Sequence, residues 1–103
     1  MKYVMAWTSR LVGSGKENED AMRRGLELFS KWKPPKGTTF HQFVGRLDGE
    51  GGFAVVETDK PGDLLDSTGK FAPYNVFHVY PVVDIDEWAK TAQEGVKFRG
   101  SIG

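Results

Sequence analysis

A chain of 103 residues is long enough for one core and little more, so a single domain spanning residues 1–103 is expected. Lys plus Arg and Asp plus Glu both number 14, and this zero formal charge argues against binding nucleic acid or anionic membrane through overall charge. Cysteine is absent, which excludes disulfides, thiolate nucleophiles and Cys-built metal sites. No apolar run approaches the roughly 18 residues of a membrane span, and MKYVMAWTSR is too short in its apolar part for a signal peptide, so a soluble cytoplasmic protein is the expectation.

Residues Lys2 to Thr8 alternate, with Tyr3, Met5 and Trp7 on one face and Val4, Ala6 and Thr8 on the other. Both faces are largely apolar, as in a central strand covered on two sides. After a loop containing Gly13-Ser14-Gly15, the period changes. Met22, Leu26 and Phe29 fall at helical spacing over Lys16 to Lys33, with Glu17, Glu19 and Asp20 in the first turn and Lys31 and Lys33 in the last. Pro34-Pro35 stops this helix.

Phe40 to Glu57 reads as a hairpin, two β-rich runs around the polar break DGEGG. Two registers remain open. A four-residue loop, Asp48 to Gly51, pairs Arg46 with Phe53 and Gln42 with Glu57; a one-residue slip puts His41 and Phe43 on the face of Val55 and Glu57. Asp59 and Pro61 then suit the start of a short second helix that ends before Pro73. Tyr74 to Val83 is a last strand, apolar on both faces, in which Pro81 points to a sheet edge or bulge. Asp84 to Glu87 has capping-box spacing, Ile85, Trp88, Ala92 and Val96 mark a third helix, and Phe98 to Gly103 reads as a tail.

The order βαββαβ is the α+β, ferredoxin-like split-βαβ pattern, a four-stranded antiparallel sheet with two helices on one face, here with an extra C-terminal helix. Two helices cover one sheet face, yet the strands are apolar on both. The economical solution is a homodimer through the sheet face.

YVMAWT, GGFAVVETDKP and VFHVYPVVDIDE resemble a family of short bacterial proteins of unknown function within the dimeric α/β-barrel group of ferredoxin-like folds. The resemblance covers nearly the whole chain and rests on structural motifs. It implies the dimeric barrel, and it implies relatives as varied as cofactor-independent quinone-forming monooxygenases, haem-degrading monooxygenases, muconolactone isomerases, polyketide cyclases and stress-responsive proteins. A fold shared by so many chemistries decides none of them. The haem-degrading relatives need a helical proximal histidine, whereas both histidines here fall in expected strands. The cofactor-free oxygenases use Asn, Trp, Tyr and Arg around an aromatic substrate, which Asn75, Trp7, Tyr80 and Arg46 match in type.

The residues read for chemistry are few. His78, between Phe77 and Val79 in the last strand, is a candidate general acid or base, weighed against an ordinary strand histidine satisfied by neighbours or water. His41 opens the second strand and, in one register, meets Glu57 as an orienting carboxylate; the plain alternative is a solvated strand end. Arg46 and Glu57 are charges inside apolar strands, read either as a cross-strand ion pair or as substrate-binding groups. Trp7 and Tyr80, with Tyr3, Phe29 and Trp32, could wall a flat ligand or simply fill the core. Two distant histidines make no metal site, and no cofactor is called for. The Gly-rich segment precedes a strand and carries two acids, so it is a turn and not a phosphate cradle.

Two functions follow. One is an enclosed pocket of about 300 Å³ or more between sheet and helices, with at least two converging polar groups, for a small hydrophobic or aromatic ligand, in a binder or in a cofactor-independent monooxygenase, isomerase or cyclase. The other is a non-catalytic homodimeric interaction or accessory protein. Nucleic acid and membrane are not expected partners.

Overall fold

The structure, a computed structural model, describes residues 1–102. Its elements are β1 (Lys2–Ser9), α1 (Gly15–Lys31), β2 (Thr39–Gly45), β3 (Gly51–Glu57), a single 3-10 turn (Pro61–Asp63), α2 (Leu64–Phe71), β4 (Asn75–Val82) and α3 (Ile85–Ile102). The strands form one antiparallel sheet in the order β2-β3-β1-β4. This is the ferredoxin-like α+β arrangement with an added C-terminal helix.

The alternation in β1 does what a period of two requires. Tyr3 and Met5 point to the helix side and are buried, while Val4 and Ala6 point to the other side and are only half covered. Opposite them, β3 contributes Ala54 and Val56, and Val56 is 0 % exposed. Leu64 of α2 completes this cluster, with Trp7, Phe40 and Phe77 packed against it. β4 is an edge strand, and its Pro81 stands opposite Tyr3, where a missing N–H costs no ladder bond on the free side.

α1 begins at Ser14 with a reciprocal capping box. The Glu17 amide donates to Ser14 Oγ at 3.2 Å and the Ser14 amide donates to Glu17 Oε1 at 3.3 Å. These bonds hold the Glu17 carboxyl below the usual carboxylate range. The helix ends at Lys31, two residues before the expected Lys33, because Trp32 already adopts an extended backbone. Its apolar stripe meets the sheet only at its C-terminal end, through Phe29 on Phe43, while Met22 and Leu26 remain exposed.

Four expectations change. The hairpin follows neither uniform register. Arg46 N donates to the Gly51 carbonyl at 2.8 Å, so the loop is Leu47 to Glu50, and a bulge at His41 shifts the pairing from Gln42↔Val55 to Phe40↔Val56. Asp59 does not cap α2, which is entered through the 3-10 turn; Thr58 Oγ1 instead accepts from the Lys60 amide at 3.0 Å. The Asp84 carboxylate is drawn away from the start of α3 to Lys2 Nζ at 2.9 Å, while its backbone carbonyl accepts from the amides of Glu87 and Trp88. Lastly, Phe98 to Ile102 continue α3, and the expected tail is helical up to Gly103, which lies outside the described residues.

α3 carries no buried residue, and Trp88 is 62 % exposed. The radius of gyration is 18.2 Å and the longest dimension 62 Å, against about 13 Å for the radius of a compact chain of this length. α3 therefore leaves its own sheet and holds its apolar stripe in solvent.

Candidate functional site

The aromatic side chains on the helix side of the sheet depend on one irregularity. In a regular strand, residues 40 and 43 would face opposite ways. The extra residue at His41 lets Phe40 pair with Val56 and Phe43 with Ala54, so both rings enter the same layer, stacked with centroids 5.2 Å apart. Phe43 meets Trp7 edge-on at 5.4 Å and Phe29 of α1 at 5.8 Å. Trp32, just past α1, is edge-on to Phe40 at 6.0 Å and to Phe71 at 5.8 Å. Such pairs contribute roughly 0.5–1.5 kcal/mol each beyond their burial.

Trp32 is fixed in direction as well. Its indole N–H donates to Asp66 Oδ2 at 2.9 Å, and Asp66 also pairs with Lys70 at 2.6 Å. Lys70 first, and then the indole, hold the Asp66 carboxyl below the usual aspartate range. A depressed folded value means that this contribution is present at neutral pH, persists down to the unfolded value near 3.9, and is lost as pH falls through the folded value. Asp66→Asn is therefore expected to lower stability by about 1 kcal/mol at pH 7 and to reduce the loss of stability below about pH 4. Chemical denaturation across a pH series, read by tryptophan fluorescence, checks both; an unchanged acid limb would remove Asp66 from this role.

Between this aromatic layer, α1 and α2 lies a cavity of about 290 Å³. Its lining is mostly apolar, including Trp7, Phe29, Phe43, Phe71 and Phe77, and it opens where Met22 and Leu26 stand clear of the sheet. Polar groups gather at one end, where the chain leaves β1 and enters β4. Ser9 and Asn75 are cross-strand partners there, and the Arg10 amide donates to the Tyr74 carbonyl at 2.8 Å. The Arg10 side chain spans the same corner, with Nε donating to the carbonyls of Ala72 at 3.0 Å and Asn75 at 3.3 Å.

The residues read from the sequence divide between the two sheet faces. Trp7 lines the cavity. His41, Glu57, His78 and Tyr80 lie on the opposite, uncovered face. His41 Nε2 and Glu57 Oε1 are 2.7 Å apart, and this bond is the main cause of the lowered Glu57 carboxyl. His78 stands opposite Ala6 and stacks with Tyr80 at 6.4 Å. β2 and β4 are the two edges of the sheet, about 14 Å apart over three strand spacings, so the histidines form no common site. Arg46 does not reach Glu57: it pairs with Asp48, and at 3.9 Å with Glu50, inside its own turn. Among the described residues no group of three His, Asp or Glu side chains could hold a metal ion.

Sequence reading missed Arg10, Tyr74, Phe40, Phe43 and Phe71 as parts of one site. The signal for Phe40 and Phe43 was their separation by three in a segment otherwise of period two. For Arg10 it was a cation directly after an apolar strand, with no acid before Glu17.

Residues 1–96 match a family described as a domain of unknown function, DUF3303, and the chain belongs to that family. A comparison with curated proteins gives no match. No helix among the described residues is long and apolar enough to cross a membrane.

Proposed function

We propose that this protein binds a small, flat, largely apolar molecule in the cavity between α1, α2 and the sheet, as a homodimer joined through its uncovered sheet face. The observation that carries the first part is the aromatic cavity itself. About 290 Å³ lies just under the usual range of small-molecule pockets, and the cleft is open to solvent instead of fully enclosed as the sequence led us to expect. The second part rests on Val4, Phe53, Val55 and Tyr80, an apolar group on a sheet face that no helix of the chain covers, with Phe53 45 % exposed.

Binding is favoured over acid–base catalysis because no His, Asp or Glu lines the cavity among the described residues. One observation favours a second reading, a cofactor-independent enzyme acting on an aromatic or polyketide-like substrate. Trp7 and Asn75 line the cavity together, joined by Tyr74 and Arg10 in place of the expected Tyr80 and Arg46. Turnover of a dihydroxynaphthalene in air, without added cofactor, would select that reading.

Native mass spectrometry of gently purified protein tests the proposal. A dimer carrying a compound of a few hundred daltons is expected. A monomeric mass overturns the dimer. A protein that retains nothing and takes up no 2-naphthylmethanol overturns the cavity as a binding site.

A further inference from the structure

We infer that the ligand is an aromatic carboxylate, its ring in the aromatic part of the cavity and its carboxylate on Arg10. This rests on the cavity being a binding site and adds the charge and the orientation of what enters. Every other arginine on the sheet side or on α1 has an acid at hand: Arg23 pairs with Glu19 and Asp20, Arg24 with Glu27, and Arg46 with Asp48 and Glu50. Arg10 lines the cavity and, among the described residues, has no carboxylate within 4 Å; its only side-chain bonds run from Nε to two backbone carbonyls. Those two bonds hold the guanidinium across the corner between β1 and the start of β4. They leave the two terminal nitrogens with their donors free, and a planar fork of that kind matches a carboxylate bidentately.

The neighbours of Arg10 fit the same ligand. Ser9 and Asn75 supply a hydroxyl and an amide at the polar end, and no acid lines the cavity to repel an anion. The rest of the wall offers rings and aliphatic groups, apart from Ser67, whose hydroxyl donates to the Leu64 carbonyl at 3.2 Å within α2. A ligand with charge at one end and an aromatic body at the other matches that division, and its carboxylate would meet Arg10 at the solvent-exposed end of the cavity, where the bidentate geometry supplies the preference.

The test compares 2-naphthoate with 2-naphthylmethanol, which share the ring and differ in charge, by isothermal titration at pH 7.5. In the unaltered protein naphthoate is expected to bind at least tenfold more tightly. Arg10→Met should bring naphthoate to the level of the alcohol and leave the alcohol within about threefold, while Arg10→Lys, which keeps the charge without the fork, falls between. Equal affinities in the unaltered protein overturn the inference without any variant, as does a preference that survives in Arg10→Met. Should Arg10→Met fail to fold, the unaltered protein and Arg10→Lys decide. If the alcohol also fails to bind, the cavity reading itself falls, since the alcohol does not need Arg10.

Discussion

Replacing Gly52 with alanine is expected to lower the melting temperature by more than about 10 °C and to abolish ligand binding in the cavity. Gly52 stands opposite Trp7 on β1 and opposite Gly45 on β2. A Cβ there would run into the Val44 carbonyl oxygen and the six-membered ring of Trp7. The indole can be pushed aside, but the carbonyl belongs to the neighbouring strand and cannot move without disturbing the β2–β3 ladder. Overpacking costs about 1–3 kcal/mol and more when backbone must shift, and each kcal/mol corresponds to roughly 4–8 °C for a domain near this size. Displacement of Trp7 also moves a wall of the cavity, which is why binding and stability should fail together. Gly45 supplies the control. It is the paired position on β2, a Cβ there meets nothing within 4 Å, and Gly45→Ala should be neutral or stabilising by up to about 1 kcal/mol. Thermal unfolding of the two variants side by side decides the matter. A Gly52→Ala protein melting within 2 °C or so of the parent would show that the indole does not lie over β3 as described.

The same two strands show what the sequence could and could not disclose. The grouping of Tyr3, Met5 and Trp7 on one face of β1 was legible from period two, but β3 reads as an unbroken apolar run, Phe53 to Val56, and only its pairing with β1 puts Ala54 and Val56 in the layer of Tyr3 and Met5. α1 was legible from its apolar spacing, its acidic first turn and Pro34-Pro35. The bulge at His41 was not, because its cause is tertiary: Phe40 finds Trp32, and Phe43 finds Trp7 and Phe29, only if the strand gains a residue between them. With the bulge, His41 reaches Glu57 without the whole-strand slip that a uniform register would require. Arg46 was misplaced for the opposite reason. Two acids within four residues of it in a tight turn are nearer than any cross-strand partner, so local pairing wins. α3 ran past its expected end because Gly100 weakens a helix by only about 1 kcal/mol, and Arg99 in the last turn favours the dipole. The polar end of the cavity is a property of a corner where two loops meet. Arg10 and Tyr74 are 64 positions apart in sequence, and only the β1–β4 pairing brings them together.

On the homodimer proposed above, Val55→Glu is expected to give monomer at micromolar concentration while leaving the proposed binding of 2-naphthoate in place. Val55 lies on the uncovered face between Gln42 of β2 and Val4 of β1, near the middle of the apolar group, and its side chain takes no part in the cavity behind the sheet. In a two-fold interface the substitution enters twice. An unpartnered carboxylate at a desolvated position costs at least about 2 kcal/mol, so the pair costs about 4 kcal/mol, close to a thousandfold in the dissociation constant. The monomer should keep its fold, since Val55 faces away from the cluster of Tyr3, Met5, Ala54, Val56 and Leu64. The dimensions of the sheet suggest a second contribution. Four strands of seven or eight residues cover about 19 by 24 Å, or about 450 Å² per protomer, whereas a stable interface takes roughly 800 Å² from each side. α3 is about 27 Å long and its apolar stripe adds about 270 Å², which accounts for most of the shortfall if Ile85, Trp88 and Val96 pack on the partner. Truncation after Val83 should therefore weaken the dimer as well, by less than Val55→Glu, in sedimentation velocity across a concentration series. A Val55→Glu protein with the parent's dissociation constant, or a parent that is itself monomeric, would overturn the proposed sheet-face dimer.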